Sequence, residues 1–259
     1  MDIKDVLQDY RDKKKSLEDV LDSLSLFSIE HIEDQVAQLD IDRANRKFIP
    51  EVVLATHKKP KDLLLILNKI LQKKEYVLVS KIKPSLVPKF VSYYAKAGYI
   101  VDQGRNSTSI LVYKNETSLP SIREGKVGII SAGTSDMGIA EEARLATRVM
   151  GCTSYITYDV GIAGFHRLIG PLKKMTTNKV DAIVAIAGME GALPAIVTSL
   201  VNVPVIGVPT SFGYGFGSNG VGALASMLQT CSFGLSVVNI DNGIGGGIFA
   251  SMVAKKGST

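Results

Sequence analysis

Residues able to carry chemistry are sparse in the second half of this 259-residue chain, and most of them stand where an apolar run gives way to glycine. Glu190, in Ala187-Gly188-Met189-Glu190-Gly191, is the only acid between Asp181 and Asp241. A carboxylate there can move a proton or direct a water, or it can merely offset the dipole of a following helix. Asp159, His166 and Arg167 fall within one ten-residue segment, Tyr158 to Arg167. The first two could handle a proton and the third could clamp a phosphate or carboxylate, against the plainer alternative of a capping Asp and a surface Arg. Ser131-Ala132-Gly133-Thr134-Ser135-Asp136 combines hydroxyls with a glycine turn at a helix start, which suits a phosphate; simple capping by Ser135 or Asp136 is the alternative. Cys231 lies between Gln229-Thr230 and Ser232-Phe233-Gly234, and a lone cysteine in apolar surroundings is most often an inert core residue.

The elements that must position these residues follow from apolar runs bounded by Gly and Pro: Val127 to Ser131, Tyr155 to Tyr158, Ala182 to Ala187, Pro204 to Val208 and Leu235 to Ile240. Strands this continuously apolar belong in a sheet covered by helices on both faces, and the stretches between them have helical length. Residues 121–259 are therefore expected to form a doubly wound parallel α/β domain. Ligands of such sheets bind beyond the carboxyl ends of the strands. The loop Pro209 to Gly220 holds a formal GxGxxG at Gly215 to Gly220, with Asp241 about twenty residues on. That signal is weak, because it follows the fourth strand of the domain rather than the first.

Residues 41–120 are expected to form a small α/β module. It comprises a helix over Leu64 to Leu71, a strand at Tyr76 to Ser80, a helix from Pro84 to Lys96, and strands near Tyr99 to Val101 and Ser109 to Tyr113. Residues 1–40 read as a helical appendage, with Ser16 and Asp19 as a capping signal. The connector from Asn115 to Glu124, with Pro120, marks the boundary of the second half.

Composition excludes several function classes. Two cysteines and three scattered histidines exclude a disulfide framework or a Cys/His metal site, and the chain opens without an apolar signal segment, which points to the cytoplasm. The net charge of +5 is concentrated in the first 126 residues, with 22 basic and 18 acidic side chains, against 8 and 7 in the remainder. The lysine pairs alternate with acids, so they read as solvated faces rather than a nucleic-acid surface.

In order, SAGTSD, YDVGIAGFHR, AGMEGALPAIVTSLVNVPVIGVPTS and VVNIDNG resemble the aminoimidazole ribonucleotide carboxylase superfamily over about residues 126 to 255. Within it, GMEGALP, GFHR, TSFGYG and NIDNG resemble the LarB family, pyridinium-3,5-biscarboxylic acid mononucleotide synthases. Asp42-x-Arg-x-x-Arg46 and Pro50-Glu51-Val52-Val53 are similar to the arginine-rich segment that precedes the LarB core. Phe48 replaces an expected glycine there, and His57-Lys58-Lys59 replaces a Gly-Lys-Thr, departures that bear on phosphate contacts.

The resemblance implies carboxylation of nicotinic acid adenine dinucleotide at C5 of its pyridinium ring and hydrolysis of its phosphoanhydride to release AMP, within nickel-pincer cofactor synthesis. It makes Cys231 a covalent nucleophile and Glu190 an acid/base, with His166 and Asp159 as further catalytic residues. Substrate contacts fall to Arg43, Arg46, Lys58, Ser131, Thr134, Ser135, Asp136, Arg167, Gly188, Met189, Thr210, Asn239 and Asp241. Carbon dioxide is the co-substrate, no cofactor is tightly bound, Mg²⁺ assistance to the hydrolysis stays open, and the protein is a homo-oligomer, of octameric type in relatives. The alternative is an aminoimidazole ribonucleotide carboxylase of purine biosynthesis, whose substrate already is an enamine and needs no thiol.

Overall fold

The computed structural model describes residues 3–25, 29–31, 38–40, 49–122 and 125–256, so Arg43, Arg46 and Phe48 lie outside the described residues. Two helices open the chain, α1 (Ile3–Arg11) and α2 (Leu17–Ser25). The capping signal is realised: Ser16 Oγ accepts from the amide of Asp19 at 3.1 Å while the Asp19 carboxylate accepts from the amide of Ser16 at 3.0 Å. The helical reading of residues 1–40 does not extend to the end. Two short strands, β1 (Ile29–His31) and β2 (Gln38–Asp40), pair antiparallel there, and three residues apiece are too few for periodicity to tell strand from helix.

The N-terminal module runs β3 (Val52–Leu54), α3 (Pro60–Lys73), β4 (Tyr76–Ser80), α4 (Val87–Lys96), β5 (Ile100–Gln103) and β6 (Ile110–Tyr113). Its sheet has the order β3-β4-β6-β5, with β3 and β4 parallel and the other pairs antiparallel. Pro60 sets the first turn of α3, where a missing amide costs nothing. Leu63, Ile66, Leu67, Ile70 and Leu71 then form the stripe that packs on one sheet face. β3 escaped the sequence reading because Val52 and Val53 leave too short an apolar run.

The second half alternates strand and helix: β7 (Lys126–Ser131), α5 (Met137–Val149), β8 (Thr153–Thr157), α6 (His166–Thr177), β9 (Ala182–Ala187), α7 (Ala192–Leu200), β10 (Val205–Pro209), α8 (Val221–Leu228), β11 (Leu235–Val237) and α9 (Gly243–Lys256). All five strands are parallel, in the order β11-β10-β9-β7-β8. Alternation along the strands sorts the core into two layers. Val127, Ile129, Val184, Ile186, Ile206 and Val208 face α5 and α9, whereas Ile130, Ile183, Ala185 and Val205 face α6, α7 and α8. The last strand is shorter than the apolar run Leu235 to Ile240 implied.

Helix α5 is covered from both sides. Ile139, Ala140 and Ala143 pack on the parallel sheet and α9, while Leu145, Ala146 and Val149 pack against Leu78, Leu111 and Tyr113 on the back of the module's sheet. The module is thus seated on the core largely through this shared helix, with Ile244 and Ile248 of α9 joining the same cluster. No described helix is long and apolar enough to cross a membrane.

Candidate active site

Strand order reverses between β7 and β9, where successive connections leave in opposite directions, and the carboxyl ends of these strands open a crevice. A pocket of about 240 Å³ occupies it. Its walls are Ala132, Gly133, Ser135 and Asp136 after β7, Gly161, Ile162 and Ala163 after β8, and Ala187 to Glu190 after β9. Ala192, Leu193 and Phe212 complete it. Asp136 and Glu190 are the only titratable groups in this lining.

The two carboxylates have different surroundings. Asp136 is buried and both its oxygens are engaged: Oδ1 accepts from Thr210 Oγ1 at 2.6 Å and Oδ2 from the amide of Gly133 at 2.9 Å. Burial pushes its pKa above the ordinary aspartate value, with the two hydrogen bonds pulling the other way. Asp136 therefore pins the strand-end turn as well as facing the pocket. Glu190 is exposed, on a lip set by Met189 and Gly191, both with positive φ (48° and 65°). Gly188 permits close packing beneath it: a Cβ there would stand 2.8 Å from Thr210 Oγ1 and 3.0 Å from the carbonyl oxygen of Phe212.

Among the other predicted residues, Ser135, Gly188 and Met189 line the pocket, and Thr210 reaches it through Asp136. Ser131 is fully buried at the end of β7 and its hydroxyl has no partner, while Thr134 is exposed on the same turn. Asp159, with φ 56°, accepts from Arg167 at 2.7 Å, and this exposed pair and His166 sit beside the pocket rather than in its lining. Asp241 accepts from the amide of Ser211 at 2.8 Å and so holds the start of the 209–220 loop. Asn239 is exposed and accepts from the neighbouring amide of Ile240. Lys58 lines a separate cavity in the N-terminal module.

Cys231 is exposed, so the core-filler alternative does not hold. It lies in the turn between α8 and β11, three residues before Gly234, whose carbonyl accepts from Val205 at the start of β10. That is the amino end of the parallel strands, whereas Glu190 follows the carboxyl end of β9, about one strand length or roughly 15 Å away. One chain alone does not bring the thiol to the pocket.

Sequence reasoning missed a buried polar track between module and core. Glu142 on α5 accepts from Ser80 Oγ at 3.2 Å and Ser109 Oγ at 2.9 Å, with its second oxygen unpartnered. Burial raises its pKa, opposed by the nearby Lys81 charge and the two serine hydroxyls. Lys81, with φ 57°, donates to the carbonyl oxygen of Asp241 at 2.7 Å. Beside this track Arg144 makes paired bonds to Asp102 at 2.7 and 2.8 Å and a further one to Glu141 at 2.5 Å, and Tyr158 also donates to Glu141. The available signal was positional: Lys81 directly follows a strand, and Glu141 and Glu142 fall on a helix otherwise rich in buried alanine.

Residues 126–257, holding the whole pocket, match the AIR carboxylase family. The chain belongs to that family. Relatives of the chain include an uncharacterized protein of Methanocaldococcus jannaschii, 37% identical over 98% of this chain and 97% of its own length. An N5-carboxyaminoimidazole ribonucleotide mutase of the same organism is 33% identical over 47% of this chain and 74% of its own. Among solved structures, a variant of Treponema denticola PurE2 is 19% identical, with a TM-score of 0.38, covering 52% of this chain and 94% of that one. Ahead of the AIR carboxylase domain, residues 29–103 match a LarB/PurE-like N-terminal domain.

Proposed function

We propose that this chain carboxylates nicotinic acid adenine dinucleotide at C5 of the pyridinium ring and hydrolyses the phosphoanhydride, yielding pyridinium-3,5-biscarboxylic acid mononucleotide and AMP for nickel-pincer cofactor synthesis. The observation that carries this reading is the exposed thiol of Cys231 in the Thr230-Cys231-Ser232 turn. A pyridinium ring is electron-poor and carbon dioxide is an electrophile, so the ring must first gain electrons. Addition of the Cys231 thiolate forms a C–S bond and a dihydropyridine with enamine character at C5. C5 then attacks carbon dioxide, forming a C–C bond. Loss of the C5 proton and expulsion of the thiolate restore the aromatic ring. Water splits the anhydride, with AMP leaving and the other phosphate staying on the mononucleotide.

Glu190, exposed on the lip of the strand-end pocket that Asp136 also lines, takes the C5 proton or directs the attacking water in this reading. Cys231 comes from a second copy of the chain, because its own pocket is a strand length away. The exposed Tyr214, Phe216, Val221, Leu228 and Phe233 on neighbouring loops and α8 supply apolar surface for that contact. The ligands are small molecules, and carbon dioxide needs no bound cofactor. Among the described residues no group of three or more His, Cys, Asp or Glu is arranged to hold a metal.

The test is incubation of the purified protein with nicotinic acid adenine dinucleotide and labelled bicarbonate. The expected products are unlabelled AMP and a mononucleotide bearing the label. Label carried instead by aminoimidazole ribonucleotide, with the dinucleotide untouched, overturns the proposal in favour of a purine carboxylase.

A further inference from the structure

A second cavity, of about 550 Å³, opens in the N-terminal module between the start of α3 and the turn that follows β4. Its volume falls in the range of small-ligand sites and is more than twice that of the strand-end pocket. Lys58, Lys59, Lys81, Lys83 and His57 line it, and no Asp or Glu does. Lys58, Lys59 and Lys83 are exposed and have no acidic partner among the described residues. These three ammonium groups around one concavity repel each other unless an anion enters, whereas Lys81 is already engaged with the Asp241 carbonyl.

Backbone features aim the same way. α3 begins at the cavity wall with Pro60, so the positive end of a fourteen-residue helix adds to the lysines. His57 and Lys81, both in the lining, carry positive φ, 63° and 57°. Leu63, Ile82 and Leu86 supply apolar wall beside the charges. A cavity combining one apolar side with converging cations suits an organic phosphate better than a bare inorganic ion.

The cavity is also joined to the strand-end pocket. Lys81 donates to the Asp241 carbonyl, the Asp241 carboxylate accepts from Ser211, and the next residue, Phe212, lines that pocket. We infer that this lysine-lined cavity binds a nucleoside monophosphate group, the adenylate half of the dinucleotide whose pyridinium half occupies the strand-end pocket. This assignment rests on the proposed function for the identity of the nucleoside. The charge and the volume alone call for an organic anion.

The test is calorimetric titration of the full chain with AMP, with adenosine and with inorganic phosphate. AMP is expected to bind, more weakly as salt is raised, with phosphate competing and adenosine giving no comparable affinity. Lys58→Ala with Lys83→Ala should weaken AMP by about tenfold or more, because each loses a charge-assisted contact. The melting temperature should stay unchanged, and Lys58→Arg with Lys83→Arg should retain most of the affinity. AMP affinity equal in wild type and the double alanine variant overturns the inference, as does the lack of any AMP binding by the wild type. Lysine-dependent AMP binding by a protein that leaves nicotinic acid adenine dinucleotide untouched would keep the cavity assignment and remove the proposed reaction. Dinucleotide turnover with an unchanged KM in the double alanine variant would do the reverse.

Discussion

Thr210 donates from Oγ1 to Oδ1 of Asp136 over 2.6 Å, joining the residue after β10 to the turn after β7 across the end of the intervening β9. Both groups are buried, so the bond forms out of competition with water. It holds three strand ends in one frame, and Gly188 lies against it.

Gly188→Ala tests that frame. Its methyl would stand 2.8 Å from Thr210 Oγ1 and 3.0 Å from the Phe212 carbonyl oxygen, and neither can retreat without moving the pocket wall. The expected result is a KM raised by about tenfold or more with a Tm lowered by roughly 2–6 °C. Unchanged kinetics would show that this wall does not touch substrate.

Arg144 is expected to matter chiefly for stability. It links Asp102 of the module to Glu141 of α5, and Glu141 is buried. Burial works against the guanidinium charge, but the bonds to Asp102 and Glu141 outweigh it and push the Arg144 pKa further up. Arg144→Met removes the partner of a buried carboxylate, and equilibrium urea unfolding should register a loss of about 3 kcal/mol. A loss below about 1 kcal/mol would mean that Tyr158 alone satisfies Glu141.

Glu142 gives a pH signature. Its folded pKa is raised above the ordinary 4.5, so the folded state binds the proton more tightly than the unfolded chain. Stability from this group is full at acid pH and declines as pH rises from about the ordinary glutamate value through the raised one. Glu142→Gln mimics the protonated form, keeping an acceptor for Ser80 and Ser109. The difference in Tm between variant and wild type should therefore shift in favour of the variant on going from pH 5 to pH 8, by roughly a few degrees. A difference that stays constant with pH would place the titration elsewhere.

The separation of Cys231 from Glu190 predicts complementation between copies. Cys231→Ser and Glu190→Gln should each be inactive with near-normal Tm, since both side chains are exposed. If one copy supplies the thiol and another the carboxylate, unfolding and refolding the two variants together in equal amounts should restore about one quarter of wild-type activity. Mixtures that stay inactive would require both groups to come from one chain.

How much of this was legible in the sequence depends on the length of each signal. The parallel sheet announced itself through runs such as Ala182 to Ala187, because a strand buried on both faces has no polar positions to blur it. The pocket residues Ser135, Asp136, Gly188 and Glu190 could be named because ligand sites in such sheets follow strand ends. Lys81 obeys the same rule in the smaller sheet, yet it lies in a lysine-rich stretch that reads as solvated surface. Glu142 could not be distinguished from an exposed helical acid, since its burial arises only when the module's sheet lands on α5. The place of Cys231 was likewise hidden: adjacency in a motif series says nothing about which end of the strands a residue adjoins.

Lys81 grips Asp241 by its main-chain oxygen, whereas the carboxylate of the same residue is turned to Ser211. The two halves of the molecule are therefore latched in a way that is blind to the genetic code at position 241. Asp241→Asn or Asp241→Gly, both compatible with a φ of 55°, would alter the grip on the 209–220 loop while leaving the latch closed. Evolution could retune the loop through that codon without risking the seating of the module.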